Sequence, residues 1–161
     1  MTPEKLIQRI GILLILTFLI EVIRSFQMIE VILLSLEEEF KLNLVLSIFL
    51  TLLLPVAGVL MWYKKKLGWT LSTVYLLITV ASAVWFMVIE FVTPEPEEGF
   101  ITLIAPVDNT SRHLFSILFN GAILYLLFKE STRQYLQIDQ KTIMNTGIIS
   151  AVVLLILIGG I

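Results

Sequence analysis

With 161 residues, 58% of them hydrophobic and only 15% charged, a formal net charge of −2 and a mean hydropathy of +0.97, the chain is too apolar for a water-soluble domain, which is about half apolar and about a quarter charged. It has no cysteine, so disulfides, thiol chemistry and cysteine metal sites are excluded. The charges gather in short clusters between apolar runs of about twenty residues, the length a helix needs to cross a hydrocarbon core about 30 Å thick. The expected fold is all-α, a polytopic transmembrane helix bundle of about five helices (four plus a C-terminal fifth). It forms a single integral membrane domain over residues 1–161.

The first predicted span covers about residues 6–26 and reads LIQRIGILLILTFLIEVI from Leu6. Lys5 and Arg9 at its start resemble a signal peptide, but Glu21, Val22 and Ile23 follow Leu19 and Ile20 where a small-x-small cleavage site would stand, so a retained span is expected. Thr2 occupies the position where myristoylation needs glycine. Apolar residues continue past Arg24 to Phe40. An unbroken helix from Leu6 to Phe40 would be roughly 50 Å long, so residues 27–40 either extend beyond the bilayer or bend into its surface.

The second span, about 43–63, ends at Lys64, Lys65 and Lys66; the third covers about 68–92. An outer loop over 93–112 contains the apolar stretch FITLIAPV between acidic clusters, read as a segment on the membrane surface or a lid over the bundle. Asn109-Thr110-Ser111 matches a glycosylation sequon by chance, so near a span. The fourth span is 113–128, and a polar connector, KESTRQYLQIDQK, leads to a fifth over about 142–161.

Cytoplasmic loops are enriched in Lys and Arg. With the N-terminus inside, Lys5, Arg9, Lys64, Lys65, Lys66, Lys129, Arg133 and Lys141 are cytoplasmic, against Lys41 and Arg112 outside. The acidic residues Glu37, Glu38, Glu39, Glu95, Glu97, Glu98 and Asp108 then all fall outside. Trp62, Tyr63 and Trp69 flank the lysines as an aromatic belt. The expected location is a bacterial inner membrane, with the N-terminus cytoplasmic and the C-terminus outside.

Ionisable residues inside a membrane are functional candidates by default. Glu21 and Arg24, three apart, can neutralise one another. Glu21 is therefore either a proton or cation site facing a cavity, or half of a structural pair. Ser47, Thr51, Pro55 and Gly58 make a small-residue stripe on the second span, suited to close helix packing. Pro55 frees the Thr51 carbonyl and predicts a kink at Pro55 and Gly58. On the third span Ser72, Tyr75, Thr79, Ser82, Phe86 and Glu90 share a narrow arc that lines either a helix interface or a narrow aqueous path. Glu90 is placed to meet Arg112 and His113, the only histidine and the side-chain type that titrates near neutrality. Asn120 sits mid-span, where an amide seeks a partner on another helix. Gly147, Ser150 and Ala151 form the small-residue face of the last span, and Val152 to Ile158 is read as lipid-facing.

No phosphate-binding glycine loop, HExxH, paired aspartates or serine–histidine–acid set is present. No catalytic residue, cofactor or metal is therefore expected, and the short basic clusters report topology rather than nucleic-acid binding. The sequence points to a small non-enzymatic membrane protein. Its partners would be the lipid bilayer and either itself, as a homo-oligomer, or another membrane protein in a larger complex. The alternative is a channel or ion/proton-coupled transporter using Glu21 or Glu90; a lipid-modifying enzyme is a third reading.

Overall fold

The computed structural model describes the backbone of residues 2–34, 41–92 and 109–159, with side chains apart from those of 21, 24–34, 41–48, 90, 109, 158 and 159. Within them lie six helices: α1 (Pro3–Leu34), α2 (Lys41–Trp62), α3 (Lys66–Val92), α4 (Asn109–Phe128), the short α5 (Glu130–Tyr135) and α6 (Gln140–Gly159). The five predicted spans fall on α1, α2, α3, α4 and α6. Among the described residues three stretches are long and apolar enough to cross a membrane, Lys66–Ile89, Thr110–Phe128 and Gln140–Leu157, while the apolar stretch of α2 described to its side chains is Phe49–Trp62. α1 runs unbroken to Leu34, past the predicted end of the first span. α2 likewise continues through Pro55. The loop carrying FITLIAPV lies outside the described residues up to Asp108.

The helices pack in sequence order, α1 on α2, α2 on α3 and α3 on α4, with α6 laid against α3. One apolar core closes one end of the bundle. It joins Ile7, Ile10 and Leu14 of α1 to Leu54 and Met61 of α2, Trp69 and Leu76 of α3, and Leu127 of α4. A smaller cluster of Leu50, Val74 and Ile78 receives Val153 and Leu157 of α6.

At the α1–α2 crossing two glycines meet. A Cβ placed on Gly11 would stand 2.7 Å from the Gly58 carbonyl oxygen, and one on Gly58 would stand 2.7 Å from the Gly11 carbonyl oxygen. The stripe read on α2 is thus a packing surface at Gly58, and its partner is a glycine of α1. On α6 the small residues divide between the bundle and the outside. Gly147 has open space over its Cα and Ala151 is exposed, whereas Thr146 and Ser150 are buried. These two hydroxyls donate to the carbonyls of Thr142 and Thr146, four residues back, so they lose the polarity that would have kept them out of an interface. Exposed Val152, Leu155 and Ile156 agree with the lipid-facing reading, but Val153 and Leu157 face the bundle.

Trp62 and Tyr63 are exposed as belt residues should be, but Trp69 is wholly buried. Its Nε1–H donates to the Leu127 carbonyl at 3.0 Å, and its ring meets Phe128 edge-on at 5.4 Å. The last four carbonyls of a helix have no partner within it. In α4 two of them are satisfied from elsewhere: Leu127 by Trp69, and Leu126 by the Thr132 hydroxyl at 2.9 Å. The connector after α4 is therefore not simply polar. It folds into α5, with Thr132 and Leu136 buried.

Both α2 and α5 stop in the same way. Lys64 (φ 58°) and Gln137 (φ 55°) take the left-handed conformation. Lys64 N–H bonds the Met61 carbonyl and Lys65 N–H that of Leu60, while Gln137 N–H bonds the Gln134 carbonyl and Ile138 N–H that of Arg133. This is the Schellman hydrogen-bond pattern, with Lys and Gln where glycine is usual. Asp139 then caps α6. Its carboxylate accepts the Thr142 N–H at 3.0 Å and the Thr142 hydroxyl, and receives Lys66 Nζ at 3.0 Å. The Thr142 hydroxyl, followed by Lys66, holds the Asp139 carboxyl well below its ordinary range. Lys64 Nζ reaches Glu4 at 2.6 Å and lies 5.8 Å from the Tyr135 ring centre. The bond to Glu4 is the main cause raising the Lys64 ammonium above its ordinary value. These contacts gather the start of α1, the α2–α3 turn and the start of α6 at one end of the bundle.

Candidate functional site

Beyond the closed core the helices separate around a cavity of about 800 Å³. α3 supplies Tyr75, Thr79, Ser82 and Phe86, four of the six residues predicted to share its polar arc. At 1.5 Å per residue they cover about 16 Å of depth. Ser72, from the same arc, lies instead in the packed region, fully buried and donating to the Gly68 carbonyl at 2.7 Å. The arc therefore changes role along its length, from core at its first turn to cavity wall above.

α4 forms the facing wall with Arg112, His113, Ser116 and Asn120. Arg112 and His113, neighbours in sequence, both line the cavity, while Glu90, expected beside them, has its side chain outside the described residues. The His113 ring stacks on Phe86 of α3, 5.8 Å between centres and 15° between planes. Asn120 is buried (8% exposed), in keeping with an interior position, but its partner is not on another helix: Nδ2 donates to Ser116 Oγ at 3.0 Å. A hydroxyl one turn away on the same face offers the amide a partner without the entropy cost of fixing two helices in register.

α1 contributes Thr17 and Ile20, α2 contributes Leu50 and Thr51, and α6 contributes Leu157. The side chains of Glu21, Arg24 and Glu90 lie outside the described residues. Gly58 packs against Gly11 of α1, and neither it nor the half-buried Pro55 is among the wall residues.

The wall is less polar than its residue types suggest. Thr17 donates to the Leu13 carbonyl and Thr79 to the Tyr75 carbonyl, each at 2.9 Å. Hydroxyls bonded back to their own helix have their donor already engaged. Aromatic faces of Tyr75, Phe86, Phe115 and Phe119 complete much of the surface, the last two stacked at 5.8 Å. Arg112 is the one charged residue on the wall among the described residues. The volume falls within the range of small-molecule sites, about 300–1,000 Å³. Sequence reasoning found most of the α3 wall through its polar periodicity, and on α4 it singled out Arg112, His113 and Asn120 individually. It missed Phe115, Phe119 and Leu157, which carry no signal separating cavity lining from lipid contact.

No protein-family model matches the chain, and no curated protein or solved structure matches it either.

Proposed function

We propose that the chain is a small non-catalytic multi-span membrane protein that works as a homo-oligomer or as a subunit of a larger membrane complex. The observation that carries this reading is a pair of glycines on helix faces that nothing among the described residues covers. A Cβ on Gly121 of α4 or Gly147 of α6 would meet nothing within 4 Å, whereas the glycines of α1 and α2 are in backbone contact. In membranes small residues mark helix faces where backbones approach closely. The cavity also ends on the apolar core rather than continuing through it, which favours assembly over conduction through one copy. An orientation with the N-terminus inside draws support from the two ion pairs that place Glu4, Lys64, Lys66 and Asp139 at one end. The cationic residues of the α2–α3 turn and of the α4–α6 connector then share one side. The test is the mass of the protein in lipid nanodiscs or mild detergent. Wild type should form a defined oligomer or retain a stoichiometric partner, and Gly121→Leu or Gly147→Leu should dissociate it while the helical content stays unchanged. A monodisperse, partner-free monomer would end this reading.

A second reading, an ion- or proton-coupled transporter, is favoured by the cavity itself. Glu21 directly follows Ile20 of its wall, and Glu90 lies one helical turn beyond Phe86. It requires flux in proteoliposomes that Glu21→Gln or Glu90→Gln abolishes; flux unchanged in both variants removes these residues from any transport role.

A further inference from the structure

We propose that the cavity binds a single-chain anionic amphiphile, its head at Arg112 and its apolar body lying along the aromatic wall toward the core. Four observations meet here. The volume suits one acyl chain or a fused ring system rather than a two-chain phospholipid. The hydroxyls of Thr17 and Thr79 and the amide of Asn120 are engaged within their own helices, so the interior offers an apolar surface with few donors to desolvate. Arg112 stands at the rim of α4, and from there to Asn120 the wall descends about 12 Å. A guanidinium pairs with carboxylate or phosphate through parallel hydrogen bonds.

The fourth observation is the way in. α1 packs on α2 and on α5, and α4 on α3 and α5, with no comparable packing between α1 and α4 among the described residues. Flanking that gap are two cavity residues with large exposure, Ile20 on α1 (65%) and Phe115 on α4 (67%). An entrance framed by apolar side chains faces lipid rather than water. A molecule already lying in the bilayer leaflet, with its head at the surface and its tail inside, enters in the orientation in which it binds. The site is formed within one copy and holds whether or not the chain assembles.

The probe is dansyl-undecanoic acid, titrated by fluorescence against the full chain in phosphatidylcholine nanodiscs, with empty nanodiscs as reference. Saturable binding at one probe per chain is expected, with Arg112→Gln and the uncharged methyl ester each weakening it about tenfold. Arg112→Lys should restore part of the loss. Ser82→Phe, which fills the wall without altering charge, should block binding, and helical content by circular dichroism checks that it folds. Displacement by lysophosphatidate but not by hexanoate identifies a lipid source, and displacement by both identifies a water-soluble carboxylate. The proposal is overturned by partitioning no greater than into empty nanodiscs, by displacement with neither competitor, or by equal affinity for the ester. It is equally overturned if a quaternary-ammonium amphiphile of the same chain length binds more tightly than the acid.

Discussion

Gly11 and Gly58 touch backbone to backbone, each occupying the space where a side chain on the other would have to stand. The clash on substitution is with a carbonyl oxygen, which cannot rotate away as a side-chain tip can. Gly11→Ala is expected to cost about 1–3 kcal/mol, as overpacking does in dense interiors, and Gly11→Val more. Thermal unfolding followed by circular dichroism in detergent measures it. The same change at Gly147, inside α6 and over open space, meets no clash and should stabilise a monomer by about 0.5–1 kcal/mol.

Trp69→Phe should keep the ring in the core while leaving the Leu127 carbonyl without the indole N–H. An unsatisfied buried acceptor costs about 1–3 kcal/mol. Thr132→Val, which removes the hydroxyl bonded to the Leu126 carbonyl, should cost a similar amount. Because both act on the last turn of α4, hydrogen exchange at the amides around Lys129 and Glu130 should rise in both variants.

Gln137 pays a steric penalty at φ 55° that glycine does not. Gln137→Gly is expected to stabilise the protein by about 0.5–1 kcal/mol, read as a higher unfolding temperature. Gln137→Val should lower it. The Gln137 side chain is exposed, so either change removes little packing.

Acid and base should act on different latches. The carboxyl of Asp139 is held below its ordinary range. Its contribution is thus fully present above the ordinary carboxylate pKa, and it is lost as pH falls through the lowered one. The raised Lys64 ammonium behaves oppositely: its contribution is present below the ordinary lysine pKa and disappears as pH rises through the raised value. Both groups lie at the surface, so the effects are small and weaken with salt. Asp139→Asn should flatten the acid side of a plot of unfolding temperature against pH, and Lys64→Gln the alkaline side.

Thr73 Oγ1 is buried with no hydrogen-bond partner among the described residues. Thr73→Val, close in shape, should be neutral or stabilising by up to about 1–2 kcal/mol. Equilibrium unfolding in a denaturing detergent decides it.

The helices and most of one cavity wall were legible because both are periodic properties. Apolar runs report length, and the recurrence of Tyr75, Thr79, Ser82 and Phe86 reports a face. What escaped depends on which partner a residue meets. Trp69 beside three lysines has the composition of an interfacial residue, and only the position of the α4 terminus makes it a core donor. Asn120 invited a partner on another helix while Ser116 stood closer on its own. Gly11, within an apolar run, carries no mark of contact until α2 lies across it. The α5 connector was readable in part: Asp139 three residues before Thr142 is a capping pattern, although its polar composition resembles a loop.

The polar contacts at the closed end have a direction in time. Lys64 reaches Glu4, Leu127 accepts from Trp69, and Asp139 receives Lys66. In each pair the later residue ties back to an element the ribosome has already released. The earlier residue of each pair gains its partner only when the later element arrives, so each latch fastens as that element emerges into the bilayer. A chain halted after α4 would already hold both the Glu4–Lys64 and the Trp69–Leu127 latches. α6, whose start depends on Lys66, is the last piece to be fastened and the first that could be let go.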